Sequence, residues 1–449
     1  MDYPTPILVN WGGKVDSNNR FATHLAKINS ILEYLRGLPA SNDKDLILIV
    51  DGYDVWFQLR PEVLIRRYYD TIARSNERLA TKFDPEVINQ HGFTQTVIFG
   101  ADKKCWPQDM DGLICNVLPE SSLPKTAFGS QTDNGEPRYA RPRWVNSGTV
   151  LGPVADVRAI FEAASQRVKD KFHGWSDQYY FAEIFGEQEL RRNSLAIKPQ
   201  NLEKYLIKDE RKDSFKNIQQ DPKAEFHISM DYEASLFHTN TFATNDTEWV
   251  VFNTSSVSTD PSAVIGDEAS VDPRLPNDIV TSRPPIFDGV VSERLLGDET
   301  TFAELPFDTT WSNVPLLFNK ITGHIPVVLH INGDKSLLNK WWGELWWAQG
   351  KWGKQLLQSS SRAPRGPLTS LYDEETGQMI TWWKGSYNSL NIQNGGYWTS
   401  GGRWVDYDDA CGKHADVLFE GKPTSAFLSK PKGGWLGPRP HGHKRRDTK

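Results

Sequence analysis

Leu46-Ile47-Leu48-Ile49-Val50-Asp51-Gly52-Tyr53-Asp54 joins five aliphatic residues to a turn that carries two carboxylates. A strand covered on both faces has no polar side to show, so an unbroken aliphatic run reads as the centre of a parallel sheet. Upstream, Phe21, Leu25, Ile28, Leu32 and Leu35 recur at helical spacing, and Gly37 and Pro39 end the helix. Ile7 to Trp11 reads as a short strand before it. Downstream, a helix is expected from Pro61, with Pro in its first turn. Thr96 to Phe99 and Trp144 to Leu151 read as strands, and Val154 to Lys171 and Asp177 to Leu190 as helices. Strands alternating with helices predict an α/β fold with a mixed, mainly parallel sheet flanked by helices.

Residues 255–315 are rich in Pro, Asp, Ser and Thr without a sustained period, which predicts a long surface excursion. Order returns at Pro326 to His330, a strand, and Lys335 to Trp352 reads as a helix carrying Trp341, Trp342, Trp346, Trp347 and Trp352. Residues 1–358 are read as one domain; residues 359–449 form a Gly/Ser/Trp-rich extension ending in a disordered basic tail around Lys444-Arg445-Arg446.

Charge and hydropathy narrow the function classes. The 449 residues carry a net charge of -6, without the basic excess of a nucleic-acid binder, so no nucleic-acid partner is expected. The longest apolar runs, Leu46–Val50 and Ile325–Leu329, fall far short of the roughly 20 residues that span a bilayer. Met1-Asp2-Tyr3-Pro4 lacks the basic and apolar segments of a signal peptide. Three cysteines, Cys105, Cys115 and Cys411, are too few for a disulfide scaffold. Cys105 and Cys115 flank a short loop and either pair or stay free thiols. The sequons at Asn245 and Asn253 matter only in the secretory pathway.

Chemistry concentrates at strand ends. Ligands of open α/β sheets bind at the carboxyl ends of strands. Asp51 and Asp54, three apart around a turn, suit one hard divalent cation, with Gly52 allowing the turn to be tight. The competing reading is a turn in which both side chains bond backbone amides. His330, at a later strand end, is the natural imidazole ligand for an ion such as manganese, or else a structural histidine. Lys335, near a helix start, suits a phosphate. Asn146-Ser147-Gly148-Thr149 allows close approach to a ligand, or is a plain turn. Ser176-Asp177-Gln178 is a helix cap, or presents Asp177 as a base in a cleft. Asp231-Tyr232 is uninformative alone. The Trp residues read as packing, with a sugar-stacking platform as the alternative.

In this order the segments resemble a known family. Ile49 to Val55, Phe99-Gly100-Ala101 with Cys105-Trp106-Pro107, Asn146-Ser147-Gly148 with Leu151-Gly152, Ser176-Asp177-Gln178, Asp231-Tyr232 with Leu236-Phe237, and His330 with Asn332-Gly333 and Lys335 carry the resemblance. The chain is similar, over roughly residues 7–340, to the glycosyltransferase domain of the procollagen-lysine hydroxylases and its fungal GT-A glycosyltransferase relatives. The resemblance implies a GT-A-like, Rossmann-like fold. It also implies a nucleotide-sugar donor, a UDP-sugar, and Mn²⁺ or another divalent cation. Carried over, Asp51, Asp54 and His330 form the metal site, and Asn332, Gly333 and Lys335 lie along the diphosphate. Ser147 and Gly148 line the sugar pocket, Lys27 lies near the donor, and Asp177 is the acid facing a glycan or protein hydroxyl acceptor. If Asp177 deprotonates that hydroxyl, inversion at the anomeric carbon follows.

The resemblance also exposes departures. The family has a strand ahead of the segment matching Ile7 to Trp11, so the fold is expected to lack its first strand. Relatives of this kind enter the Golgi or endoplasmic reticulum lumen, and the expected membrane link is an N-terminal anchor absent from this sequence. An iron-binding hydroxylase domain is lacking, so hydroxylation is not implied. The sequence therefore predicts a metal-dependent glycosyltransferase. The alternative is a catalytically inactive carbohydrate-binding or interaction protein on a degenerate transferase scaffold. A phosphohydrolase with Asp51 as nucleophile is disfavoured, because Tyr53 and Phe57 stand where that chemistry wants Asp and Thr.

Overall fold

The computed structural model describes residues 1, 3–12, 21–107, 113–170, 176–196, 224–252, 273–285, 309–348, 367–373, 377–383, 396–414 and 418. In chain order, β1 (Ile7–Leu8), α1 (Ala22–Gly37), β2 (Leu46–Val50) and β3 (Val55–Phe57) lead to α2 (Pro61–Lys82) and α3 (Pro85–His91). Then come β4 (Val97–Asp102), α4 (Leu113–Asn116), β5 (Trp144–Pro153), α5 (Val154–Asp170) and α6 (Asp177–Ala196). β6 (Ile228–Asp231), β7 (Phe237–Thr239), β8 (Thr247–Val251), α7 (Asn277–Val280), β9 (Pro315–Asn319), β10 (Val328–His330) and α8 (Ser336–Trp342) follow. The C-terminal part holds β11 (Thr369–Asp373), β12 (Gln378–Trp382), β13 (Gly396–Thr399), β14 (Trp404–Asp406) and α9 (Tyr407–Ala410).

A four-stranded sheet in the order β2-β5-β4-β6 forms the centre. Its faces belong to two hydrophobic clusters. Ile49, Val97, Phe99 and Val150 pack with α1, α5 and α6, while Ile98 and Leu151, with Leu46 and Leu48 beside them, pack with α2 and with β7, β9 and β10. That two-sided coverage is why β2 shows no alternation in sequence. β5 is the departure from a mainly parallel sheet, since β2, β4 and β6 all run the same way. The sheet is mixed: β4 pairs β6 in parallel, but β5 runs antiparallel to both β2 and β4. β2 is the edge strand and four of its five residues are only half-buried, so the aliphatic run marks partial cover on both faces rather than a central place, and it carries no signal of the neighbouring strand's direction.

A second sheet, in the order β3-β10-β7, lies beside the first. β10 runs antiparallel to β3 and parallel to β7, with His330 opposite Val55 and Thr239. Other expectations shift as well. Ile7–Leu8 is extended as read, but it stops at two residues and pairs in parallel with β13 rather than with the central sheet. The helix expected over 335–352 ends at Trp342, because the chain turns at Gly343 so that Trp346 and Trp347 can donate to the carbonyls of Gln58 and Phe57. Trp341, Trp342, Trp346 and Trp347 all pack into clusters around β3, consistent with packing; Trp352 lies outside the described residues. The excursion is not confined to the surface: Leu275 and Ile279 are buried in the second cluster. The Arg67 guanidinium on α2 holds that segment, donating to Asp278 and to the carbonyls of Ser235 and Ile325. The boundary at residue 358, the sequon at Asn253 and the basic tail lie outside the described residues.

Candidate metal centre

Asp51 follows β2 directly, and its backbone N–H donates to the Gly148 carbonyl of β5 at 3.0 Å. The turn Gly52–Asp54 returns the chain into β3. Because β3 pairs with β10, the Ile331 N–H reaches the Asp54 carbonyl at 2.8 Å, which sets His330 beside Asp54. Sheet register thus brings together two segments far apart in sequence. His330 Nε2 lies 3.6 Å from Asp54 Oδ2 and 3.8 Å from Asp51 Oδ2. One ligand atom from each of the three residues falls within 4.8 Å of the others. Metal–ligand distances of about 2.1–2.4 Å let one ion bridge donors at such spacings, and two carboxylates with one imidazole suit a hard or borderline divalent cation.

Two lysines neutralise the carboxylates. Lys27 Nζ, from α1, donates to Asp51 Oδ1 and to the Ser147 carbonyl, both at 2.7 Å. Lys335 Nζ donates to Asp54 Oδ2 and, at 2.8 Å, to the Ile331 carbonyl. Burial would raise the Asp54 pKa, but His330 and Lys335 overcome it and hold the carboxyl below its usual value. Lys335 remains 41 % exposed, which leaves its ammonium reachable from solvent.

The glycines divide by role. A Cβ on Gly148 would stand 2.1 Å from His330 Cε1, so the imidazole rests on bare backbone there. Gly333 has φ of +89°, the left-handed region that favours glycine, and a Cβ would meet Thr241 Oγ1 at 2.9 Å. Gly52, expected to permit a tight turn, is not in that region and has open space where a Cβ would be, so the turn does not depend on it.

Asn332 does not present a free amide to a ligand. Its Oδ1 accepts from the N–H groups of Asn240 (2.7 Å) and Thr241 (2.9 Å), and its Nδ2 donates to Asp102 Oδ1. Asp102, the last residue of β4, was not foreseen from sequence. It gathers amide donors from Asn146 and Asn332, with Gln178 at 3.5 Å, beneath the metal cluster. Burial holds its carboxyl above the usual value, against the pull of the hydrogen bonds from Asn146 and Asn332. A lone Asp ending a strand has no local signature, though it directly follows the Phe99-Gly100-Ala101 stretch.

Asp177 opens α6 and is almost wholly buried. Its Oδ2 is 3.0 Å from Lys27 Nζ and its Oδ1 is 3.3 Å from His24 Nδ1. Burial alone would raise its pKa, but Lys27 and His24 reverse this and hold it well below the carboxylate range. Burial likewise opposes the Lys27 charge, yet Asp177 and Asp51 push its pKa up. Both groups therefore stay ionised near neutrality, and Asp177 reaches Asp51 through Lys27. Asp231 is structural: it accepts from the backbone N–H groups of Ser235, Leu236 and Phe237. Cys105, just after β4, and Cys115, in α4, form a disulfide, and Cys411 is free. No helix among the described residues is long and apolar enough to cross a membrane.

No family model matches the chain. Over 166 residues, 37% of its length, the chain is 23% identical to the multifunctional procollagen lysine hydroxylase and glycosyltransferase of Caenorhabditis elegans. That stretch spans 16% of the C. elegans protein, so the similarity reaches a small part of a larger, multifunctional chain.

Proposed function

We propose that this protein is a metal-dependent glycosyltransferase that moves a sugar from a nucleotide-sugar, a UDP-sugar, to a hydroxyl on a glycan or protein acceptor. The observation that carries this reading is the Asp51–Asp54–His330 cluster at the strand ends, with the exposed Lys335 ammonium on its rim. Distant similarity to a protein with glycosyltransferase in its name supports it. A divalent cation, Mn²⁺ in this proposal, would supply Lewis acidity that neutralises a departing diphosphate.

The chain's own residues prepare that chemistry. Asp51, Asp54 and His330 offer the ligands. Lys335 would leave Asp54 and meet phosphate oxygens, adding positive charge where the leaving group becomes negative. Lys27, locked between Asp51 and Asp177, fixes the Asp51 carboxylate without competing for its second oxygen. Gly148 admits the imidazole, and Asn332 holds the 240–241 backbone against the Gly333 turn. Asp177 in this arrangement is a charge-holding group, since a carboxylate held so low is a weak base. The disulfide suits an oxidising compartment, which supports a place in the secretory pathway, Golgi or endoplasmic reticulum.

Purified protein incubated with UDP-hexoses should release UDP only when Mn²⁺ or a similar cation is present. Asp51→Ala and Asp54→Ala should each lower that release by 10²-fold or more, on the order expected for a lost ligand to transition-state charge. Undiminished turnover in either variant would remove the metal assignment.

A further inference from the structure

Asn146 is the pivot of a hydrogen-bond chain that runs from Asp102 to His330, a member of the candidate metal cluster. Its Nδ2 lies 3.2 and 3.1 Å from the two oxygens of Asp102. Its Oδ1 accepts from the Gly148 N–H at 3.0 Å and lies 2.9 Å from His330 Nδ1. A backbone N–H can only donate, and a carboxylate gathering amide N–H groups from Asn146, Asn332 and Gln178 is an acceptor, so the Asn146 amide has one orientation open to it. The Oδ1 facing His330 is then an acceptor, and the 2.9 Å contact requires a proton on Nδ1. In the neutral ring that leaves the lone pair on Nε2, the nitrogen facing Asp51 and Asp54.

We infer that Asn146 and Asp102 are positioning residues that set the tautomer and ring orientation of His330, so that Nε2 is ready to bind a divalent cation. The inference rests on the proposed metal role of His330. The relay is buried throughout: Asp102, Asn146 and His330 are each less than a tenth exposed. Bare backbone at Gly148 completes the seat, since the imidazole lies against it. Partners of this kind behind a metal-binding histidine fix its tautomer, and their loss costs about 10- to 100-fold in metal affinity.

The test uses full-length protein labelled with ¹⁵N-histidine and stripped of metal, with the His330 signals identified by their loss in His330→Gln. Long-range ¹H–¹⁵N spectra should show the Nδ1–H tautomer at His330. Asn146→Leu should shift that residue toward Nε2–H and weaken Mn²⁺ binding, followed by electron paramagnetic resonance, by about 10- to 100-fold. Asn146→Asp keeps an oxygen facing Nδ1 and should retain the Nδ1–H tautomer, which a merely structural role for the side chain does not predict. Should Asn146→Leu not fold, Asp102→Asn, which weakens one of the two contacts that fix the Asn146 amide, should give the same shift in weaker form. A wild-type His330 in the Nε2–H form, or an unchanged tautomer in a folded Asn146→Leu protein, overturns the inference. Because the tautomer is read without metal, wild-type protein with Nδ1–H but no Mn²⁺ binding would instead count against the proposed function alone.

Discussion

Lys27 ties two carboxylates from different elements together. It is a half-buried ammonium with two carboxylate partners, of which Asp177 is buried, so removing that partner strands charge in a poorly solvated place. Breaking a buried pair by deleting one partner costs about 3–5 kcal/mol, and Asp177→Asn should fall at the low end because Lys27 keeps Asp51. The pH dependence follows from the direction of the shift. Asp177 is depressed in the folded state, so its contribution is fully present above the unfolded value of about 3.9 and is lost as pH falls through the folded value. The stability gap between wild type and Asp177→Asn, measured by urea unfolding, should be flat from about pH 5 to 9 and close only below about pH 4. A gap that closes between pH 5 and 7 would mean that Asp177 titrates there and is available as a base. Asp51, Asp54 and His330 were legible in the sequence because Asp51 and Asp54 lie in the turn after one recognisable apolar strand and His330 ends another. Asp102 and Asn146 were not read as a pair, because their meaning lies in each other and the amide between them faces inward.

At the scale of elements, the site exists where β5 passes under the end of β10. The close approach of Gly148 to the His330 ring is a β5–β10 contact across two sheets, and no local pattern reports it. Gly148→Ala should leave β5 extended, since its pairing with β2 and β4 needs no glycine conformation, while forcing the imidazole off its seat. Overpacking of this kind costs about 1–3 kcal/mol in stability. The larger effect should be on Mn²⁺ affinity, by about tenfold or more, measured by calorimetric titration. A variant with unaltered affinity would show that the ring can move without losing the cation. α1 and α5 were read well from sequence because one apolar stripe per helix suffices, whereas the Trp-rich run after Lys335 turned out of its helix at Gly343. Strand direction was not read well, because the same aliphatic run serves either neighbour.

At the scale of the molecule, two apolar clusters share the central sheet, and the carboxylates of the candidate metal centre stand where β2 leaves it. The N-terminal strand β1 closes on β13 and β14 near the other end of the chain, a pairing between segments with no common motif. The Trp residues after His330 pack against β3, the strand leaving Asp54, so the indoles stiffen the site from behind. An ion and a nucleotide bound here would tie α1, β2, β3, β5 and β10 together and stabilise the whole fold. The most direct test is therefore thermal unfolding with UDP, Mn²⁺, both together, or neither. Ligand at 100 times its Kd adds about 2.7 kcal/mol to stability, enough to raise the Tm of a chain this size by roughly 2 °C or more. The expected result is a rise with Mn²⁺ that grows when UDP is added and disappears in Asp51→Asn. An unchanged Tm at millimolar UDP and Mn²⁺ would contradict a nucleotide-sugar site and leave an inactive carbohydrate-binding or interaction protein as the better description.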